Sequence, residues 1–200
     1  MEEKEIVGTK EINDSWLFNF YSPVLILIIG VAGFLILLLT AELTGTRFYS
    51  VAGVHYLKAD EYNDTFLSNI ASVLILILVC IVYIELIGRE LNIIRIINAV
   101  LISRLPFLFF ALFNIDQYIQ NLIIINLSKF KHELYDFLAA DLLVLGVYLV
   151  IGVAAIVYSI WLLQKGLRPL TGRPGKREII LFGFGLLMAE LGSRIMIQFL

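Results

Sequence analysis

Pro23-Val-Leu-Ile-Leu-Ile-Ile-Gly-Val-Ala-Gly-Phe-Leu-Ile-Leu-Leu-Leu-Thr-Ala-Glu-Leu43 carries a single charge, Glu42, one residue from its end. At about 1.5 Å of helical rise per residue, a stretch of this length spans the ~30 Å of a bilayer's hydrocarbon core. Four more such runs follow, at 70–87, 93–113, 137–163 and 179–200. In lipid every backbone donor and acceptor must be paired within the protein, so spans this long and uniformly apolar are read as helices. The expected fold is an all-α, polytopic bundle of five transmembrane helices. It forms a single membrane domain over 23–200, preceded by a polar tail at 1–22.

Composition supports this reading. Hydrophobic residues make up 60% of the chain and charged ones only 16%, against about a quarter charged in soluble domains. The net charge of −2 offers no basic surface for nucleic acid. The lone cysteine, Cys80, falls inside the second span and says nothing about redox compartment. The start, Met1-Glu-Glu-Lys-Glu5, is acidic and unlike the basic opening of a cleaved signal peptide, so the first span is expected to be retained. Trp16, Phe18, Phe20 and Tyr21 gather ahead of Pro23, as suits the headgroup level. Ser22 before Pro23 reads as an N-cap followed by proline at the first helical position.

Nine Lys and Arg lie on the side of the N-terminal tail and the second and fourth connections, and four on the other. The bias predicts a cytoplasmic N-terminus and a C-terminus outside or in a lumen; in a bacterium this would be the inner membrane. Between Ile115 and Phe137, apolar residues Ile119, Leu122, Ile123, Leu127, Phe130 and Leu134 recur opposite Gln117, Gln120, Asn121 and Lys131. This is expected to be an amphipathic helix in the outer interface, with a re-entrant segment as the alternative.

Ionisable residues inside spans are costly and normally face a partner or water. Reckoned by depth, Arg104 in the third span and Glu190 in the fifth lie level near the midplane and form the leading candidate pair. Asp141 is level with Arg194, and Glu85 lies within reach of Arg89 at i+4 or of Lys165. These charges either lock helices together, form a relay, or bind a partner. Pro106 removes a backbone hydrogen bond beside Arg104 and is expected to kink the third span. Tyr148, Gly152, Ala155 and Ser159 continue a small and polar face from Asp141. Gly185, Ala189, Gly192 and Ser193 form another, and both stripes read as helix contacts.

Glu85-x-x-x-Arg89 and Glu190-x-x-x-Arg194 resemble the glutamate and arginine of CAAX-type intramembrane proteases, but the histidines, His55 and His132, lie in outer connections. An i,i+4 ion pair accounts for both. No metal-ligand cluster or cofactor motif is found, and no catalytic group is assigned. Thr171-Gly-Arg-Pro-Gly-Lys-Arg177 lacks the glycine, hydroxyl and strand of a phosphate loop. Together with Lys165 and Arg168, its residues Arg173, Lys176 and Arg177 are candidates for contact with anionic lipid headgroups or determinants of topology. Asn63 and Asn126 match the glycosylation pattern.

The stretch Ile96-Ile-Asn-Ala-Val-Leu-Ile-Ser-Arg-Leu-Pro106 resembles the third-span region of bacterial Yip-like proteins, polytopic relatives of Rab-interacting membrane proteins. Leu162-Leu-Gln-Lys-Gly-Leu-Arg168 and Met188-Ala-Glu-Leu-Gly-Ser-Arg194 add to the resemblance, which covers Ile70 to the C-terminus. It implies a non-enzymatic protein that organises or recruits other membrane components, with membrane-protein partners or further copies of itself. The aromatic and glycine motif of the eukaryotic members is reduced to Phe20-Tyr-Ser-Pro23, so Rab binding is not carried over. A transporter or channel using Arg104, Asp141 and Glu190 is the alternative, and an intramembrane enzyme the third.

Overall fold

The structure, a computed structural model, describes residues 22–56, 65–123, 139–172 and 174–199. Its helices are α1 (Pro23–Thr44), α2 (Thr65–Leu86), α3 (Ile93–Arg104), α4 (Leu108–Phe113), α5 (Ala139–Thr171) and α6 (Lys176–Ile197), with strands β1 (Thr46–Phe48) and β2 (Val54–Tyr56) after α1. The 3₁₀ turn Leu105–Phe107 joins α3 to α4. Counted with that turn as one element, five helices are long and apolar enough to cross a membrane.

Local chemistry sets the boundaries. The Ser22 hydroxyl accepts from the Leu25 N–H at 3.2 Å, and Pro23 follows at the first helical position, as expected. Gly45, at φ 60°, closes α1 in the left-handed conformation that glycine adopts without strain. Gly88, at φ 68°, closes α2, and the Arg89 N–H returns to the Ile84 carbonyl at 3.2 Å. The fourth span, α5, runs to Thr171, two turns past the expected Leu163: Leu167 continues its buried side, and the Thr171 hydroxyl, also buried, donates to the Leu167 carbonyl at 3.4 Å. α6 starts at Lys176 rather than Ile179, since the Glu178 carboxylate reaches back to accept from the Gly175 N–H at 2.9 Å.

The third span is the most enclosed, with 61% of its apolar window buried against 11% for the fourth and fifth. The first, second and fourth spans pack against it, and the fifth packs on the second. Leu76, Ile84, Ile96, Val100, Leu163 and Ala189 belong to the main core. Outward, Ile28, Leu39, Leu78, Val150, Ile180 and Leu187 stand exposed. A belt of this kind has no stable place in water and fits a membrane protein.

The small-residue stripes are contacts. Gly152 lies against the Phe110 ring, Gly185 against Val79 and Gly192 against Ile75, while Ala189 and Ser193 are fully buried. Helical residues 118–123 follow Gln117, with Ile119 and Leu122 buried as expected of an amphipathic stretch. Gln120 departs from its expected polar side: it is buried, and its N–H reaches the Asn114 side chain at 3.1 Å. The rest of that stretch, the N-terminal tail, Asn63, Asn126, His132, Arg173 and Leu200 lie outside the described residues.

Candidate functional site

The first connection, to which the sequence alone assigns no structure, holds the feature that organises the bundle's charges. Beyond Gly45 the chain doubles back as an antiparallel hairpin with Thr46 opposite Tyr56, Arg47 opposite His55 and Phe48 opposite Val54. Its tip, 49–53, is closed by the Tyr49 N–H donating to the Gly53 carbonyl at 2.8 Å. The all-α expectation therefore needs a two-stranded addition.

A hairpin packed into apolar surroundings exposes edge amides and carbonyls that must find partners. Asn69 of α2 supplies the first set. Its Oδ1 accepts from the Phe48 N–H at 2.7 Å and its Nδ2 donates to the Thr46 carbonyl at 3.1 Å. One side-chain amide thus does the work of a neighbouring strand. At the tip, the Ser50 N–H donates to the Ser193 hydroxyl at 3.0 Å, and the Ser50 hydroxyl donates to the Ser72 carbonyl at 3.0 Å.

Glu190 and Arg104 complete the seat. Glu190 Oε2 accepts the N–H groups of Val51 and Ala52 at 3.0 and 3.1 Å. Its Oε1 takes both Nε and Nη2 of Arg194 at 3.1 Å. The Arg194 guanidinium lies over the Tyr49 ring at 5.0 Å. Arg104, only 1% exposed, donates from Nη1 to the Tyr49 carbonyl at 3.3 Å and rests over the Phe107 ring at 5.1 Å.

Several expected pairings change. Arg104 and Glu190 do not form a direct ion pair; the ion pair of Glu190 is with Arg194, one helical turn on. The hairpin tip sits between the two charges and takes a bond from each. Glu85 and Arg89 are both exposed and form no ion pair, because α2 ends at Leu86 and the turn at Gly88 breaks the i,i+4 geometry. Asp141 belongs to α5, but its side chain lies outside the described residues.

Pro106 acts through the 3₁₀ turn. The Ile102 carbonyl is taken by the Leu105 N–H, and the neighbouring Ser103 carbonyl accepts from the Ser159 hydroxyl of α5 at 2.5 Å. A proline in a long apolar helix thereby creates a joint between the third and fourth such helices. Nearer the hairpin, the hydroxyls of Tyr56 and Tyr148 hydrogen-bond to each other. Burial, then the neighbouring Tyr148, pushes the Tyr56 phenol above its ordinary value.

At the other end of the bundle, Lys165 and Arg168 line a cavity between α5 and α6; Lys176 and Arg177 stand exposed at the start of α6. Among the described residues no three His, Cys, Asp or Glu side chains are grouped to hold a metal ion. No protein family, curated protein or solved structure matches this chain. Its functional reading rests on its own residues.

Nothing in the sequence marks Asn69 or the hairpin amides, and Ser193 is marked only as a helix contact, because polar side chains scattered through spans carry no local sign of what they meet. Gly45 and Gly53 bracketing Thr46-Arg-Phe-Tyr-Ser-Val-Ala52 were the available signal of a tight reversal.

Proposed function

We propose that this chain is a non-enzymatic integral membrane protein of the Yip-like type that organises or recruits other membrane components, and that its intramembrane charges are structural. One observation carries the reading: Glu190 and the enclosed Arg104 both spend hydrogen bonds on the backbone of the hairpin tip. Groups committed to a fixed backbone are not free to relay protons or line a path. The resulting rigid bundle presents its outward faces to membrane-protein partners or to a second copy. The proposed orientation, with Pro23 and Lys176 toward the cytoplasm, follows the nine-to-four bias of Lys and Arg.

The transport reading draws on a different observation. Arg104 Nε and Nη2 have no hydrogen-bond partner in their buried site, and waters in a path through the bundle would satisfy them. Reconstitution in liposomes with a pH-sensitive dye separates the two. The organising reading expects no proton flux, together with a stable partner recovered from mild detergent. Flux that disappears in Glu190→Gln or Asp141→Asn would establish transport instead.

A further inference from the structure

Between the last turns of α5 and the first of α6 lies a cavity of about 180 Å³. Its walls differ in chemistry. Lys165, Arg168 and Thr171, at spacings of three, line the α5 side together with apolar Leu167, while Ile179 and Phe182 of α6 line the other. Tyr83 of α2 also lines it, its ring 5.5 Å from that of Phe182.

A small soluble anion would use the two cations and leave the apolar wall idle. A phospholipid uses both, because its phosphate is followed at once by glycerol and hydrocarbon. The surroundings place the cavity at headgroup level: Trp161, half-exposed and stacked on Tyr158, lies 5.5 Å from Lys165 Nζ, and such rings favour the interface. Glu178, in the first turn of α6, accepts from the Gly175 N–H through Oε2 and caps the helix. Beyond the cavity the outer sides of both helices are apolar, with Val157, Ile180 and Phe184 exposed for acyl chains to follow.

We propose that this notch binds one anionic phospholipid, its phosphate between Lys165 and Arg168 and its first acyl carbons along Ile179 and Phe182. A basic pocket at the membrane surface selects charged headgroups over zwitterionic ones.

Native mass spectrometry of the full chain in neutral detergent tests this, because the micelle carries no surface potential of its own. One phosphatidylglycerol per chain should be retained at concentrations where phosphatidylcholine is not. The pair Lys165→Gln and Arg168→Gln should weaken retention by about 30-fold, near fivefold per charge. Lys176→Gln with Arg177→Gln removes the same charge at the same end but outside the notch and should leave retention unchanged. Equal weakening by both pairs, or none by the first, would overturn the assignment. Ile179→Trp fills the notch with its cations intact and tests the proposal even if the first pair fails to fold: retention should fall, and undiminished retention would overturn it. Glycerol 3-phosphate at millimolar concentration should displace nothing. Displacement would reassign the notch to a soluble phosphate compound and overturn the lipid proposal.

Discussion

Arg104 donates from Nη1 to the carbonyl of Tyr49 at 3.3 Å, and this bond ties the middle of the third span to the tip of the hairpin. Glu190 grips the same tip through the amides of Val51 and Ala52. The cation takes the carbonyl and the anion takes the N–H groups, so each charge meets the end of the peptide dipole that suits it. Two charges expected to neutralise each other act instead on one short piece of backbone between them.

Removing the Glu190 carboxylate leaves the amides of Val51 and Ala52 without acceptors and Arg194 without its ion pair. Val51 is buried and Ala52 exposed, and one orphaned buried amide costs about 1–3 kcal/mol. Glu190→Ala should therefore lower unfolding stability in detergent by about 1–3 kcal/mol. Glu190→Gln keeps one acceptor oxygen and should cost less. Equal losses in the two variants would show that the carboxylate's bonds to the tip do not matter.

Arg104→Met should cost less than Glu190→Ala. The arginine makes one bond to a neutral carbonyl and leaves Nε and Nη2 unsatisfied, and replacing an under-partnered buried charge by an apolar side chain of similar length is often neutral or stabilising. The expected change lies within about 2 kcal/mol of zero, set by the single carbonyl released. A loss larger than that of Glu190→Ala in the same unfolding assay would mean that Arg104 has stronger partners than the Tyr49 carbonyl.

Two glycines give a paired steric test. A Cβ at Gly53 would fall 2.3 Å from the Tyr49 ring and 2.5 Å from Glu190 Oε1, whereas one at Gly146 meets nothing within 4 Å. Gly53→Ala should push the tip off its seat and cost about 1–3 kcal/mol, the range for overpacking. Gly146→Ala should be neutral or stabilising by up to about 1 kcal/mol, since alanine suits a helix interior better. Similar melting temperatures for the two variants would argue against a tightly seated tip.

Much of the architecture was legible because apolar length is a local property. The five long apolar helices, the Ser22–Pro23 helix start and the packing stripes at Gly152 and Gly185 all follow from residues adjacent in sequence or on one helical face. The Glu190–Arg194 pair is of the same kind, being one turn apart. The hairpin was not legible. Its strands are three residues each, too short to show a period of two. Its anchors, Asn69, Ser72, Glu190 and Ser193, come from helices that begin about 20 and 130 residues later. Depth reckoning put Arg104 and Glu190 near each other, but it could not foresee that backbone from the first connection would occupy the space between them.

Hydrogen exchange read over peptides covering 46–56 tests the seated hairpin most directly. In detergent micelles the amides of Phe48, Tyr49, Ser50, Val51 and Ala52 should exchange as slowly as those of the enclosed third span, since each has an acceptor inside the bundle. Glu190→Ala should release the tip amides while the third span stays protected. Exchange of 48–52 in the unaltered protein at the rate of a free loop would contradict the account.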